Sequence, residues 1–322
     1  MRFGLCCLFV EEKISFRTTT AKALLNLTVK TRLEKISEIC LHNAKSLLES
    51  VKTAHRMGFG AFRISSQLFP RMTHPVTGYR LEDLPGDEQI NGLLAATKDF
   101  SKNNGVRLSF HPDQFILLSS PRKEVTENSI CELCCQAVWA EAVGADVINI
   151  HAGGVYGNKE QALERLSGAF KDLPEKVSSR LTLENDDVSY TIRDLLPVCQ
   201  ALSIPLVYDV HHHRCNPDGL TELDATDLAA GTWATVEREQ YCHVSSPKNG
   251  WGQGDPKPHA DFIDPKDFPV CWLGREMTVD VEAKAKELAV VQLMGALGGG
   301  LGRDKGGMDL RHGAGQSPQG RL

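Results

Sequence analysis

The run Val147-Ile148-Asn149-Ile150-His151 decides the fold. It is almost continuously apolar, the pattern of a parallel-sheet strand buried on both faces. Runs of the same kind recur at Arg2–Cys7, Ala61–Ser65, Val106–His111, Leu181–Glu184, Pro205–Asp209, Tyr241–Ser245 and Met277–Glu282. Helical patterns lie between them. Leu33, Ile36, Cys40, Ala44, Leu47, Val51 and Ala54 form one apolar stripe at helical spacing, with Gly58 suited to its end. A second pattern has Pro121 near its first turn, puts Ile130, Leu133, Cys134, Ala137 and Val138 on one face, and stops at Gly144. A shorter helix is expected over residues 265–273 and a last one over Ala283–Met294. Eight strands alternating with helices predict an α/β fold, a (β/α)8 TIM barrel over residues 1–294. Residues 295–322 hold ten of the 28 glycines and no hydrophobic period, which predicts a disordered tail.

The 322 residues include 36 basic and 41 acidic side chains, a formal charge of −5. With 41% hydrophobic residues the chain is neither wholly disordered, collagen-like nor a disulfide-stapled mini-protein. Nor does its charge suit a protein that coats nucleic acid non-specifically, although cations in a site would reverse the local sign. The ten cysteines are scattered or adjacent, as in Cys6-Cys7 and Cys134-Cys135, which predicts a reduced, cytoplasmic protein with mostly buried thiols. Leu5–Val10 is cut off by Glu11, Glu12 and Lys13, so neither a secretory signal nor a membrane span of roughly 20 apolar residues is expected.

The strand ends carry the chemistry. From the third strand onward they are His111, His151, Glu184, Asp209, His243 (inside its strand) and Glu282, spaced by 25 to 40 residues, about one βα unit each. In a barrel these ends converge on one face, where active sites of this fold lie. Three imidazoles and three carboxylates in one pocket repel one another or lose solvation unless cations compensate. His74 after strand two, His212 three residues past Asp209, and His259 and Asp261 beyond strand seven enlarge the set to ten nitrogen or oxygen donors. Ten exceed what one ion takes, so two or three divalent cations are expected. The absence of cysteine favours a catalytic ion over a thiolate-bound structural one, with Mn2+, Zn2+ and Mg2+ all compatible. His211 and His213 flank His212 and are expected to be solvated or to support the cluster from behind.

Other motifs are weaker. The loop from Ser245 to Phe262 carries Lys248, three glycines and Trp251, suited either to phosphate and base contacts or to a plain lid. Arg63, Gln67 and Arg71 near strand two could face a polyanion, and Gln114-Phe115 has the make-up of a wedge for a base stack. Cys131-x-x-Cys134-Cys135 sits within a helix without a partner pair and reads as packing. His42, His55 and His312 read as surface residues. Gly298-Gly299-Gly300 follows no strand and opens no helix, so it is not a phosphate-binding loop.

Seven ordered motifs resemble the UV damage endonuclease family over residues 1–294. They are Phe62-Arg63-Ile64-Ser65-Ser66, Phe110-His111-Pro112-Asp113-Gln114, Asn149-Ile150-His151, Leu183-Glu184-Asn185-Asp186, Asp209-Val210-His211-His212, His243-Val244-Ser245-Ser246 and Glu282-Ala283-Lys284. The resemblance implies a metal-dependent barrel endonuclease, similar in architecture to trinuclear-metal apurinic endonucleases, that nicks DNA 5′ to pyrimidine dimers and other lesions, typically with manganese. It implies metal-ligand roles for His74, His111, His151, Glu184, Asp209, His212, His243, His259 and Glu282, and a damage-probing role for Gln114 and Phe115. Three positions depart from the family pattern. Leu5-Cys6 stands where members can place tyrosine, Phe115 lacks a hydroxyl, and Tyr241 replaces a lysine that some members carry modified.

The reaction expected is hydrolysis of a DNA phosphodiester by water activated on a cation. Glu184, His111 and Asp209 are the expected catalytic residues: Glu184 bridging ions, Asp209 sharing one with His212, and His111 either binding metal or orienting water. Arg63, Gln114, Phe115, Lys248 and Trp251 are the expected DNA contacts. The expected partner is damaged double-stranded DNA, met by a monomer without membrane or nucleotide cofactor. Two competing readings are a sugar isomerase or epimerase, which would need a small closed pocket, and a non-catalytic binder of damaged DNA, which would retain little metal.

Overall fold

The computed structural model describes residues 1–298. Eight parallel strands close into a barrel in chain order: β1 (Arg2–Cys6), β2 (Ala61–Ile64), β3 (Arg107–Phe110), β4 (Val147–His151), β5 (Leu181–Glu184), β6 (Leu206–Asp209), β7 (Tyr241–Val244) and β8 (Thr278–Val281). Pairing of β1 with both β2 and β8 closes the seam. The fold is therefore the expected TIM barrel. Several strands end a residue earlier than the apolar runs suggest, so His111 and Glu282 lie one step beyond β3 and β8.

Alternation along each strand sorts the barrel wall into two populations. Phe62, Ile64, Leu108, Phe110, Ile148, Ile150, Leu181, Leu183, Leu206, Val279 and Val281 join the main apolar core with the helices. Their neighbours of opposite parity bond to one another across the strands: Arg63 to Asp280, Ser109 to Tyr241, Thr182 to Asn149, and His243 to Glu184. A separate small cluster of Val147, Val207, Trp233 and Tyr241 gathers at the other end of those strands. Buried polar groups are costly unless hydrogen-bonded, and this polar interior is where the site is built.

The apolar stripe 33–54 lies on a helix spanning Val29–Arg56, with Ile36, Cys40, Ala44, Leu47, Val51 and Ala54 buried. The second pattern is the helix Lys123–Val143, ended by Gly144 at φ 75°. Here the expected face is corrected: Val138 is exposed, while Leu133, Ala137, Trp139, Ala140 and Val143 are buried. Cys131 is exposed and Cys134 and Cys135 are half-buried on this helix, all free thiols. The helix expected over 265–273 is instead two short 3-10 turns, Pro265–Asp267 and Val270–Trp272. Pro269 between them lacks an N–H and disfavours helical backbone at the residue before it.

The last helix spans Glu287–Gly298, not Ala283–Met294. Its start is set by tertiary contact, since the buried Glu287 carboxylate accepts from the backbone N–H groups of Val10 and Glu11. Residues 295–298 are thus helical and do not belong to a disordered tail. The rest of that expected tail, with His312, lies outside the described residues. No helix among the described residues is long and apolar enough to cross a membrane.

Candidate metal centre and nucleic-acid interface

Strand register brings distant residues to one level. His151 pairs with Glu184 across β4 and β5, and Asp209 with His243 across β6 and β7. Glu184 is fully buried. Its Oε2 meets His111 Nε2 at 3.1 Å and His151 Nε2 at 3.9 Å. Its Oε1 meets His243 Nδ1 at 3.0 Å and His212 Nδ1 at 3.3 Å. Asn149 Nδ2 donates to Oε2 and Thr182 donates to Asn149 in turn, so the carboxylate is held from below. Two donor groups share it: His111, His151 and Glu184, then Glu184, Asp209 and His243, with ligand atoms in each group within 4.8 Å of one another.

Several atoms fit a cation better than a hydrogen-bond network. Asp209 Oδ1 accepts the His212 N–H at 2.8 Å and caps the short helix Val210–Cys215. Its Oδ2 is buried without a hydrogen bond, with His212 Nδ1 at 3.5 Å and His243 Nδ1 at 3.9 Å, an arrangement that costs free energy unless positive charge compensates. His111 Nδ1 lies 3.2 Å from the carbonyl of Pro112, which calls for an N–H there. That leaves the Nε2 lone pair facing a carboxylate oxygen, and such a contact needs a proton or a cation between. His151 Nδ1 is likewise buried and unpartnered. The donors are nitrogen and oxygen throughout, suited to a divalent catalytic ion.

The electrostatics agree. Burial opposes ionisation of Glu184, but His243 first and then the other imidazoles around it outweigh that, holding the carboxyl well below its ordinary range. Burial also opposes ionisation of Glu282, where Arg63 and then His243 hold the group low. Burial lowers His151 against the pull of Glu184. His212 is raised in spite of burial because Asp209 and Glu184 face it.

Of the other candidate ligands, Glu282 lies 3.4 Å from His243 Nδ1 through Oε1, and 3.7 Å from His259 Nδ1 through Oε2. His259 therefore joins the cluster at its rim. His74 does not join it: its Nδ1 accepts from the backbone N–H groups of Val76 and Thr77, both at 3.2 Å. An imidazole so engaged carries its proton on Nε2, presenting a hydrogen-bond donor and no lone pair to a metal. Asp261 is exposed. His211 and His213 are not solvated. His211 is buried against Trp251 and His259, and His213 is held between Tyr208 and Asp218.

The expected DNA contacts divide. Gln114 is exposed and Phe115 is 71% exposed. Phe115 borders a groove of about 800 Å³ lined also by Gln67, Arg71, His74, Asp113 and Arg122. Lys248 is exposed. Trp251 is 40% exposed, but its indole N–H donates to Asp267 at 2.8 Å, and His211 and Arg214 pack against its ring. The loop is a pinned hairpin, since Lys248 N–H bonds the Pro258 carbonyl and Ala260 N–H that of Ser246. Arg63 is misplaced as an open phosphate contact. It is 8% exposed, and its guanidinium is engaged by Asp280 and Glu282.

Sequence reasoning missed Asn149, Asn185 and Asp280. Asn149 and Asp280 could have been found by parity, as each stands two residues before a strand-end candidate and so shares its inward face. Tyr241 follows the same rule. It is buried, bonds Ser109 at 2.8 Å and lies under the Arg107 guanidinium, filling the layer below His243.

A family model described as UV-endonuclease UvdE matches residues 1–302. A UV DNA damage endonuclease of Bacillus velezensis is 32% identical over 293 residues, covering 86% of this chain and 87% of its own. The crystal structure of SacUVDE covers 93% of this chain and 98% of its own, with a TM-score of 0.81 and 27% identity. Endonuclease IV from Thermus thermophilus covers 92% and 98% with a TM-score of 0.59 at 15% identity, a likeness of fold.

Proposed function

The chain belongs to the UV-endonuclease UvdE family, and on that premise we propose that it is a DNA repair endonuclease, hydrolysing the phosphodiester 5′ to UV photoproducts in double-stranded DNA. The observation that carries this reading is the convergence of His111, His151, His212 and His243 on buried Glu184, beside the unpartnered Oδ2 of Asp209.

Two or three divalent cations, Mn2+ foremost, would be held by His111, His151, Glu184, Asp209, His212, His243, His259 and Glu282. Bound there, they would supply Lewis-acid stabilisation of phosphate charge and a water of lowered pKa. Glu184 serves both donor groups, and its fixed orientation by Asn149 keeps them in register. Asp209 offers Oδ2 while Oδ1 stays with the helix cap. Gln114 and Phe115 stand exposed beside the groove, positioned to wedge into a base stack. Lys248 and Trp251, on the loop after β7, would supply further contacts to phosphate and base. His74, as a hydrogen-bond donor lining the groove, suits a phosphate or base oxygen. An open groove bordered by an exposed aromatic fits a polymer better than a small sugar. The enzyme is proposed to act in the cytoplasm as a monomer.

The test is incision of an end-labelled duplex bearing one defined pyrimidine dimer, with added Mn2+. Undamaged and abasic duplexes and Glu184→Gln protein run alongside. The expected result is a nick 5′ to the dimer, abolished by chelator and by the substitution. Folded, Mn2+-loaded protein that leaves every duplex intact would overturn the reading.

A further inference from the structure

Glu282 lies one residue past the end of β8, at Val281, with its backbone N–H still bonded to the Val244 carbonyl at 2.9 Å. The strand sets which way it faces, and the side chain's own partners aim its carboxylate. Its Oε1 accepts from Arg63 Nη2, and Arg63 Nε donates to Asp280 Oδ2 at 2.9 Å. Asp280 is fully buried and reaches Arg63 past β1 because position 4 is glycine. A Cβ on Gly4 would stand 2.0 Å from Asp280 Oδ1. Asp280 and Glu282, two apart, share the inward face of their segment, and Arg63 on β2 bridges them. Oε1, so held, also faces His243 Nδ1 at 3.4 Å, while the second oxygen, Oε2, is turned toward His259 at 3.7 Å.

We infer that Asp280 and Arg63 form a positioning pair for the metal centre, reserving Oε1 of Glu282 and presenting Oε2 to a cation. The inference rests on the reading of Glu282 as a ligand. The fork of a guanidinium is what the task requires, because one rigid plane must meet two carboxylates at once, and a lysine ammonium offers no such fixed angle. A purely structural role is the rival account: Arg63 and Asp280 also tie β2 to β8 across the β1 seam. The two accounts differ in what they predict for cation affinity once folding is accounted for.

The experiment titrates Mn2+ into full-length wild-type, Arg63→Lys, Asp280→Asn, Glu282→Gln and Arg63→Lys/Glu282→Gln proteins, reading free Mn2+ by electron paramagnetic resonance. Thermal unfolding in chelator measures the stability of each without metal. Loss of a residue that orients a metal ligand typically weakens metal binding about 10- to 100-fold, and this is the fall expected at one site for Arg63→Lys and Asp280→Asn. The double variant should bind no more weakly than Glu282→Gln alone, since both changes act through one carboxylate. Wild-type Mn2+ affinity in folded Arg63→Lys and Asp280→Asn, with Glu282→Gln weakened, overturns the positioning role and leaves the ligand reading intact. Wild-type affinity in Glu282→Gln overturns both. If either single variant fails to fold, the other carries the same comparison with Glu282→Gln.

Discussion

Asn185 grips Asp209 by both of its backbone polar groups. The Asn185 Oδ1 accepts the Asp209 N–H at 3.0 Å, and its Nδ2 donates to the Asp209 carbonyl at 2.9 Å. The side chain following β5 thus locks the end of β6, and with it the carboxylate that faces His212 and His243. The Asn185 carbonyl also meets His212 Nδ1 at 3.0 Å, restraining that ring.

Asn185→Ala should therefore act twice. It strips partners from a buried N–H and a buried C=O, at about 1–3 kcal/mol for a lost buried partner, which thermal unfolding in chelator will register. It also frees Asp209 and His212 to turn, so Mn2+ affinity should fall at least tenfold. A variant that loses stability while keeping its Mn2+ affinity would disprove the second effect.

Asp209 separates helix capping from ion binding. Asparagine caps a helix about as well as aspartate, whereas alanine costs about 1 kcal/mol. Asp209→Asn should keep the helix cap but lose the charge that faces His212 Nδ1 at 3.5 Å, so its metal-free melting temperature should fall less than that of Asp209→Ala. It should still lose Mn2+ binding and incision. Asp209→Ala should lose both binding and stability, and comparing the two melting curves in chelator checks the assignment.

Phe115 is 71% exposed and buries little on folding, so Phe115→Ala should leave stability within about 0.5 kcal/mol. Stacking on a base is worth about 1–3 kcal/mol, so binding to a dimer-containing duplex should weaken roughly 5- to 150-fold. Mn2+ content should not change. Equal loss of affinity for damaged and undamaged duplexes would remove Phe115 from lesion recognition.

Acid should reveal the Arg107–Asp146 pair, at 2.8 Å. Burial opposes ionisation of Asp146, but Arg107 and then Arg238 outweigh it and lower its pKa. A depressed folded pKa gives stability that is complete above the unfolded value of about 3.9 and disappears as pH falls through the folded one. The melting-temperature gap between wild type and Asp146→Asn should stay level from neutral to mildly acidic pH, then close in stronger acid. A gap that is constant down to the acid limit of folding would contradict the pairing.

Much of the barrel was legible because its evidence is local. Eight apolar runs at βα spacing give eight strands, and their last residues name most of the cluster, since parallel strands converge at one end whatever the helices do. His111, His151, Glu184, Asp209 and His243 come together for that reason. The start of the last helix was not legible: it is set by Glu287 bonding the backbone of Val10 and Glu11, residues from the other end of the chain.

By itself, then, the sequence determined the strand count, their order and the residues at their ends, all carried by short-range pattern and period. Only the tertiary structure decided what each polar side chain is free to do. Arg63 looks like a surface cation and is consumed by two carboxylates, Asp280 of β8 and Glu282 just past it. His74 looks like a ligand, but its Nδ1 is taken by its own turn. Asn149 looks like a flaw in an apolar strand and holds Glu184 in place. The physical reason is common to all three. A lone pair or a proton is available only if no neighbour has claimed it, and those neighbours are assigned by packing, not by position in the chain.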